Sequence, residues 1–428
     1  MCFSMGGTLS LRILHTSDWH LGRTLEGTSR LAEQREFINT LCDLAEAEDV
    51  HLILITGDVF DTFNPSAEAE NLFFSALERL ARGGRRGVVV IAGNHDSPDR
   101  LRAANPLALD HGICLVGYPL EELPLGKGKG GVERVAAGPG WLELKIPGCE
   151  EHAVIGTLAY PSEARLNEIL SDELQEETMQ KAYSERIKAL LRDLSRHFRK
   201  DTVNLIMSHL YIAGGKESDS ERPIQLGGAL AVAPAALPET AHYIALGHLH
   251  RPQAVEGAPA PCRYAGSPLA YSFSEADHRK EVVLIEAQPG LPAILKRFPL
   301  NCGRPLKIWQ ASNLEEFFRW CQEERNLHCW VDLEIEALEP LSPRDIAEIR
   351  RRHPGVVNIR VRLPENLFSP RESSRTSLPL KEQFRLFAAR ELGSDPPEEL
   401  VDLFLELINT EEVNGSISDQ EPRKGERK

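Results

Sequence analysis

The chain has 428 residues, 42% hydrophobic and 26% charged, the balance of a soluble globular protein with material for two or three domains. No apolar run approaches the roughly 20 residues that span a bilayer, and the opening MCFSMGGTLS has neither the basic nor the apolar region of a secretory signal. A net charge of −15 argues against a protein that grips nucleic acid alone, because phosphate contact comes from clustered Lys and Arg; metals and a partner are expected to supply the positive charge.

In chain order, Leu11 to His15 is a short apolar strand that ends at polar residues. Arg30 to Glu48 reads as a helix. His51 to Thr56 (HLILIT) is a continuous apolar run, the mark of a strand buried on both faces. Ser66 to Arg82 reads as a second helix with Ser66 as its N-cap, and Gly87 to Ala92 (GVVVIA) as another buried strand. This alternation predicts an α/β layered fold. Glu121 to Gly140, with LGKGKGG at its centre, is expected to be a loop or hairpin insertion. Asp172 to Lys200 predicts a long helix with Ile187, Leu190, Leu191, Leu194 and Phe198 on one face. Strands return at Val203 to Met207, Tyr243 to Leu246 and Glu281 to Glu286.

Near Asn301 the pattern changes. Strands at Val331 to Ile335 and Val357 to Leu363 flank a helix at Pro343 to Arg352, a small βαβ-like unit expected to be a separate domain. The predicted division is residues 9–300, 301–368 and a helical segment 378–410, with a polar tail 411–428 expected to be disordered. A Ser/Arg-rich link, Ser369 to Ser377, precedes two short helices, Leu380 to Leu392 and Pro397 to Ile408. The second carries an apolar stripe of Leu400, Leu403, Phe404, Leu407 and Ile408. None of the eight cysteines shows C-x-x-C spacing, so free, mostly buried thiols are expected rather than a zinc or redox site.

Five polar clusters follow five of the apolar runs: Asp18-Trp19-His20, Gly57-Asp58-Val59-Phe60-Asp61, Gly93-Asn94-His95-Asp96, Ser208-His209 and Gly247-His248-Leu249-His250. Singly each is ordinary. Gly-Asp and Gly-Asn favour turns, and lone histidines such as His15 and His51 are read as satisfied, partly buried side chains. Jointly they are not ordinary. Ligands bind at the C-terminal ends of strands in open α/β sheets, and five strand ends delivering Asp, His and Asn to one edge build a pocket of metal ligands. Carboxylate, imidazole and amide oxygen together suit Mn²⁺, Fe²⁺ or Zn²⁺.

The order D-x-H, G-D-x-x-D, G-N-H-D, H, G-H-x-H resembles the motif set of the calcineurin-like metallophosphoesterase superfamily. The flanking text LHTSDWHLG, ITGDVFDTFNPS, AGNHDS, YIALGHLHR and YAGSPLAYSF is similar to the bacterial SbcD nuclease subunits, from about Leu11 to about Ile408. The resemblance implies a metallophosphoesterase β-sandwich flanked by helices, a small α/β capping domain and C-terminal helices. It implies two divalent metal ions, Mn²⁺ first, with Mg²⁺, Fe²⁺ or Zn²⁺ as alternatives. Asp18, His20, Asp58 and His250 would hold one; Asp58, Asn94, His209 and His248 the other, with Asp58 shared. His95 would donate a hydrogen bond or proton to the phosphate or leaving oxygen, and Asp96 would hold its imidazole. Asp61 stands where archaeal and eukaryotic relatives carry His, and its expected role is to orient a ligand or a water. Arg23, Arg100 and Arg102 are candidate phosphate contacts, weighed against the commoner idle fate of surface arginines.

The implied activity is hydrolysis of DNA phosphodiesters, exonucleolytic at double-stranded ends and endonucleolytic on hairpins and single strands, in repair, recombination and replication. The implied partners are DNA and an SbcC-type ATPase whose coiled coil the C-terminal helices would grip, in a heterotetramer containing an SbcD homodimer, in the cytoplasm at the nucleoid and not at a membrane. The chain has no G-x-x-x-x-G-K-[ST] loop, so ATP dependence must come from the partner. Two other readings stand beside this one: an esterase for small phosphoesters or cyclic nucleotides on the same scaffold, and a non-enzymatic scaffold, which the unbroken ligand set argues against.

Overall fold

The computed structural model describes residues 10–167, 176–221, 230–337 and 339–362, with scattered residues between 381 and 404. They divide into two compact units. One holds the chain through Ile335 together with Leu341–Val361; the other holds Glu336–Pro340 and the residues from Arg362 on.

The first unit opens with β1 (Leu11–Thr16), a two-residue pair β2 (Thr24–Leu25) and β3 (Thr28–Ser29), then α1 (Leu31–Ala47), β4 (Leu52–Thr56), α2 (Ala67–Ala81), β5 (Gly87–Ile91), the short helices α3 (Pro98–Arg102) and α4 (Asn105–Ala108), and β6 (Ile113–Val116). Next come β7 (Gly126–Lys127), β8 (Glu133–Gly138), β9 (Trp141–Lys145), β10 (His152–Leu158), α5 (Glu163–Leu166), α6 (Glu176–Ser195), β11 (Thr202–His209), β12 (Tyr243–Gly247), β13 (Gln253–Ala254) and β14 (Cys262–Tyr264). β15 (Glu281–Ala287) and β16 (Ile294–Pro299) return to the first sheet, whose order is β16-β15-β1-β4-β5-β6; the second runs β13-β14-β12-β11-β10-β9-β8-β7.

The apolar runs are continuous because each central strand is covered twice. In β4, Leu52 and Leu54 enter the core between the two sheets, where they meet Leu205 and Met207 of β11. Ile53 and Ile55 face the opposite way, into a core with Phe37 of α1 and Phe73 of α2. The outer face of the second sheet is covered by Ile187, Leu190, Leu191 and Leu194 of α6, the face read from the sequence. The layering is therefore helix, sheet, sheet, helix: the predicted sandwich flanked by helices. Ser66 caps α2 as expected, its hydroxyl accepting from the Ala69 amide at 3.2 Å. The glycine-rich insertion is a hairpin, β7 antiparallel to β8, that extends the second sheet. The apolar pattern does not reveal β10, since His152, Gly156 and Thr157 interrupt it, yet this strand pairs along its full length with β11.

The small C-terminal sheet has the order β17 (Leu306–Ala311), β18 (Trp330–Glu336), β19 (Val356–Arg362). Helices α7 (Leu314–Trp320) and α8 (Glu324–Leu327) follow β17, and α9 (Pro343–Arg352) joins β18 to β19. This unit thus lies within the predicted bounds from residue 301 and holds one strand, β17, that the apolar pattern does not reveal. It has its own core of Trp309, Phe317, Val331, Leu333, Ile335 and Ile349. It falls in the same compact unit as the sandwich, and Trp330 Nε1 donates to the Glu33 carboxylate of α1 at 3.2 Å. In the second unit, helical residues occur within both predicted C-terminal helices, and Phe384 stacks on Phe404 with ring centroids 3.8 Å apart. The tail 411–428 and the Ser/Arg-rich link lie outside the described residues. No described helix is long and apolar enough to cross a membrane.

Candidate metal centre

Parallel pairing sets the C-terminal ends of β1, β4 and β5 side by side in one sheet, and those of β11 and β12 in the other. The five clusters sit on those ends. The chain must turn sharply there, and four of the named residues take the left-handed backbone that side chains rarely adopt: Asp18 (φ 52°), His20 (φ 44°), Asp58 (φ 47°) and His248 (φ 105°). Such conformations cost roughly 1–3 kcal/mol each and persist only where surroundings enforce them. Here the loops lock together. The Asp18 amide donates to the Gly57 carbonyl at 3.1 Å and the His20 amide to the Asp58 carbonyl at 2.9 Å. The motif glycines have a steric reason as well. A Cβ on Gly93 would stand 2.1 Å from Asp58 Oδ1, and one on Gly247 would stand 1.8 Å from the Thr56 carbonyl oxygen.

Asp18, His20 and His250 bring one donor atom each within 4.8 Å of one another, as do Asp58, His209 and His248. All six are buried. Nε2 of His20 faces Nε2 of His250 at 2.9 Å. Asn94 Oδ1 completes the second group, 2.9 Å from His209 Nε2 and 3.2 Å from His248 Nδ1. Asp58 lies between the groups. Its Oδ1 accepts from the His95 amide at 2.9 Å, and its Oδ2 lies 3.7 Å from His20 Nε2 and 3.4 Å from His209 Nε2. Oδ2 thus faces both groups.

The residues fit divalent cations by their proton inventory. His209 Nδ1 meets the Thr56 carbonyl at 2.9 Å, which can only accept, so Nδ1 carries the hydrogen and Nε2 of the neutral ring a lone pair. That lone pair confronts the Asn94 amide oxygen and the Asp58 carboxylate. Acceptors so close require a proton or a cation among them. The electrostatics agree. Burial raises the Asp18 carboxyl to about 6 against the pull of His209 and His250. Burial lowers His20 to about 3 and His248 well below its usual range. Burial would also raise Asp58, but His209, His95 and His20 hold it well below the usual carboxylate range. Its neighbour His209, which burial would lower, is lifted to about 9 by Asp58. A proton on His209 does there part of what a cation would do.

One expectation changes in detail. Asp96 does not touch the His95 ring: its carboxylate accepts from the amides of Gly93 at 2.8 Å, Val59 at 3.2 Å and Phe60 at 2.9 Å. It ties the loop after β5 to the loop after β4, because three amides at a tight turn need an acceptor. The His95 ring is held instead by the carbonyl of Asp61, 2.7 Å from Nδ1. The Asp61 carboxylate lies 3.6 Å from His20 Nδ1 and 3.5 Å from Arg23. Of the three arginines singled out, Arg23 reaches this edge. Arg100 pairs with Glu70 and Arg102 with Asp99 and Glu121. His15 is fully buried and bonded to Tyr243 and Thr56, and His51 accepts from the Arg12 amide; neither joins the site.

Sequence reasoning missed the residues that brace the loops. Arg165 donates to the carbonyls of Gly93 and Asp96, both at 2.8 Å. Gln34 donates to the His20 carbonyl at 2.8 Å; a polar residue on the α1 stripe of Phe37, Ile38 and Leu41 was the available signal. Ser220, Glu275 and Lys280 lie behind His250, and nothing local marked them.

Residues 11–252 match the family model of the calcineurin-like phosphoesterases. The SbcD component of the nuclease SbcCD from Bacillus subtilis (strain 168) is 43% identical over 401 residues, covering 93% of this chain and 98% of that protein. The protein of the same name from Rhodobacter capsulatus is 36% identical over 301 residues, 69% of this chain and 71% of its own. That of Escherichia coli (strain K12) is 30% identical over 414 residues, 94% and 98%. With the matched domain spanning all five clusters and the identity running nearly end to end, the chain belongs to the calcineurin-like phosphoesterases and, among them, to the SbcD nuclease family.

Proposed function

We propose that this site hydrolyses the phosphodiester backbone of DNA with two divalent cations, Mn²⁺ first among them, and that the chain is the nuclease component of a complex with an SbcC-type ATPase. Family membership makes it a metal-dependent phosphoesterase. The observation that supports a two-cation centre is the position of Asp58 Oδ2 between two groups of buried donors. Asp18, His20, Asp58 and His250 would hold one cation, and Asp58, Asn94, His209 and His248 the other. Bound there, the pair supplies an activated water and offsets charge on the phosphate.

The chain's own residues do the rest. With Nδ1 of His95 committed to a carbonyl, only Nε2 is left to meet a phosphate or a leaving oxygen, and it can donate only from the protonated ring. The donating role therefore belongs to a His95 imidazolium. The Asp61 carbonyl aims that ring, while its carboxylate faces His20. Asp96 and Arg165 hold the loop that presents Asn94 and His95. The substrate class follows the relatives, each named as part of a nuclease; cleavage is exonucleolytic at double-stranded ends and endonucleolytic on hairpins and single strands. The partner supplies ATP dependence, and the C-terminal helices, where Leu403 stays 51% exposed beside the Phe384–Phe404 stack, supply the grip. The complex contains a homodimer of this chain and works in the cytoplasm at the nucleoid.

The test is cleavage of linear and hairpin DNA in Mn²⁺, with and without an SbcC-type partner and ATP. His95→Ala should lower the rate by about 10²–10⁴-fold while both Mn²⁺ ions stay bound. Hydrolysis of a small chromogenic phosphoester without any cleavage of DNA, partner present, would remove DNA as the substrate.

A further inference from the structure

Behind His250 runs a buried chain of polar groups outside the ligand set. Lys280 Nζ donates to Glu275 Oε2, to the His250 carbonyl at 2.9 Å and to Ser267 Oγ at 2.8 Å. Glu275 Oε1 accepts from Ser220 Oγ, and Ser220 Oγ meets Nδ1 of His250. Ser220, Glu275 and Lys280 are 4%, 0% and 6% exposed.

The proton directions follow from counting donors. An ionised carboxylate only accepts and an ammonium only donates. Ser220 has one hydroxyl proton, and it goes to Glu275. The Ser220 oxygen can then only accept from His250, so Nδ1 bears the hydrogen and Nε2 the lone pair. That Nε2 is the atom facing His20 at 2.9 Å. The His250 backbone is held from both sides too, its amide donating to Glu221 Oε1 at 2.7 Å and its carbonyl accepting from Lys280. His209 has no such support, its Nδ1 meeting only the neutral Thr56 carbonyl. Stability does not explain the arrangement, since burying an ion pair costs about as much in desolvation as attraction returns. Placement against a ligand does, because an anionic partner behind an imidazole fixes its tautomer and raises its strength as a donor.

We propose that Ser220, Glu275 and Lys280 are positioning residues that lock His250 with Nε2 toward the cation, and that they make the Asp18–His20–His250 side the tighter half of the centre. The proposal rests on the two-cation reading of the site. It is tested on the full chain with Mn²⁺ as the probe, by calorimetry and electron paramagnetic resonance, with the metal-free fold followed by urea unfolding. The wild type should take up two ions that give a spin-coupled signal. Ser220→Ala should weaken one of them by about 10–100-fold and yield the hyperfine pattern of isolated Mn²⁺, with an unchanged metal-free unfolding midpoint. Ser220→Thr, which keeps the hydroxyl, should restore the coupled signal. The double variant Glu275→Gln with Lys280→Met, which leaves no unpaired charge, should weaken the same ion. Two wild-type affinities and a coupled signal in Ser220→Ala would overturn the relay and leave the two-cation reading standing. A wild type that binds no Mn²⁺ pair would overturn both.

Discussion

His15 and His209 are both wholly buried near the meeting of the two sheets, and their environments drive them in opposite directions. Burial takes His15 down to about 3, since the Tyr243 and Thr56 hydroxyls beside it carry no charge, whereas the Asp58 carboxylate lifts His209 to about 9. For His15 the sign is fixed. Its folded pKa lies below the unfolded value, so the unfolded chain binds the extra proton as pH falls from about 6.5 toward 3. Its contribution is present above about 6.5 and is lost on acidification through that window, at up to about 1.4 kcal/mol per pH unit. Urea unfolding in chelator should therefore show a shallower loss between pH 7 and 5 for His15→Gln than for the wild type; parallel slopes would clear His15 of that role. The sequence reads His15 as a satisfied, partly buried side chain and His209 as a member of a ligand cluster, and the neighbour that each acquires on folding sets the direction in which it is driven.

Helices are joined at their ends as much as along their faces. Arg86, just before β5 and fully buried, donates to the carbonyls of Ala45 near the end of α1, Val50 just after it, and Leu80 near the end of α2, at 3.0, 2.7 and 2.9 Å. The last carbonyls of a helix lack partners within it, and one planar guanidinium serves two helix ends here. Arg86→Met should strand the carbonyls of Val50 and Leu80, while that of Ala45 keeps the Val50 amide at 3.0 Å, and cost about 2 kcal/mol or more, at about 1 kcal/mol or more for each orphaned acceptor. Urea unfolding measures that loss. Mn²⁺ stoichiometry should stay at the wild-type value, because Arg86 sits at the opposite end of β5 from Gly93. A stability within about 0.5 kcal/mol of wild type would show that water satisfies the carbonyls instead. The helices themselves were readable from their apolar spacing and the Ser66 cap. This clasp was not, since its acceptors at the end of α1 lie 36 and 41 residues away in sequence.

Across the whole first unit, the candidate ligands straddle the sandwich. β1, β4 and β5 bring Asp18, His20, Asp58 and Asn94 from one sheet, and β11 and β12 bring His209, His248 and His250 from the other. Cations held there would pin the two sheets together at one edge. Binding to the folded state alone stabilises it by about 2.7 kcal/mol at a hundredfold excess over the dissociation constant. Mn²⁺ should thus raise the unfolding temperature of the full chain, a chelator should reverse the rise, and Asp58→Asn should blunt it. The same unfolding temperature in Mn²⁺ and in chelator would mean that the sheets close without help from the centre.

By itself the sequence determined the α/β layering and which polar clusters gather at one edge of it, because doubly covered strands must be continuously apolar and each polar cluster lies within a few residues of a strand end. Tertiary structure alone decided that Asp58 turns one oxygen to both donor groups, that Asp96 serves backbone amides rather than the His95 ring, and that Ser220, thirty residues away in sequence, stands against His250. Hydrogen bonds between distant segments have no periodicity to read. Their donors and acceptors are assigned only when packing brings the loops together and every buried proton must find one place to go.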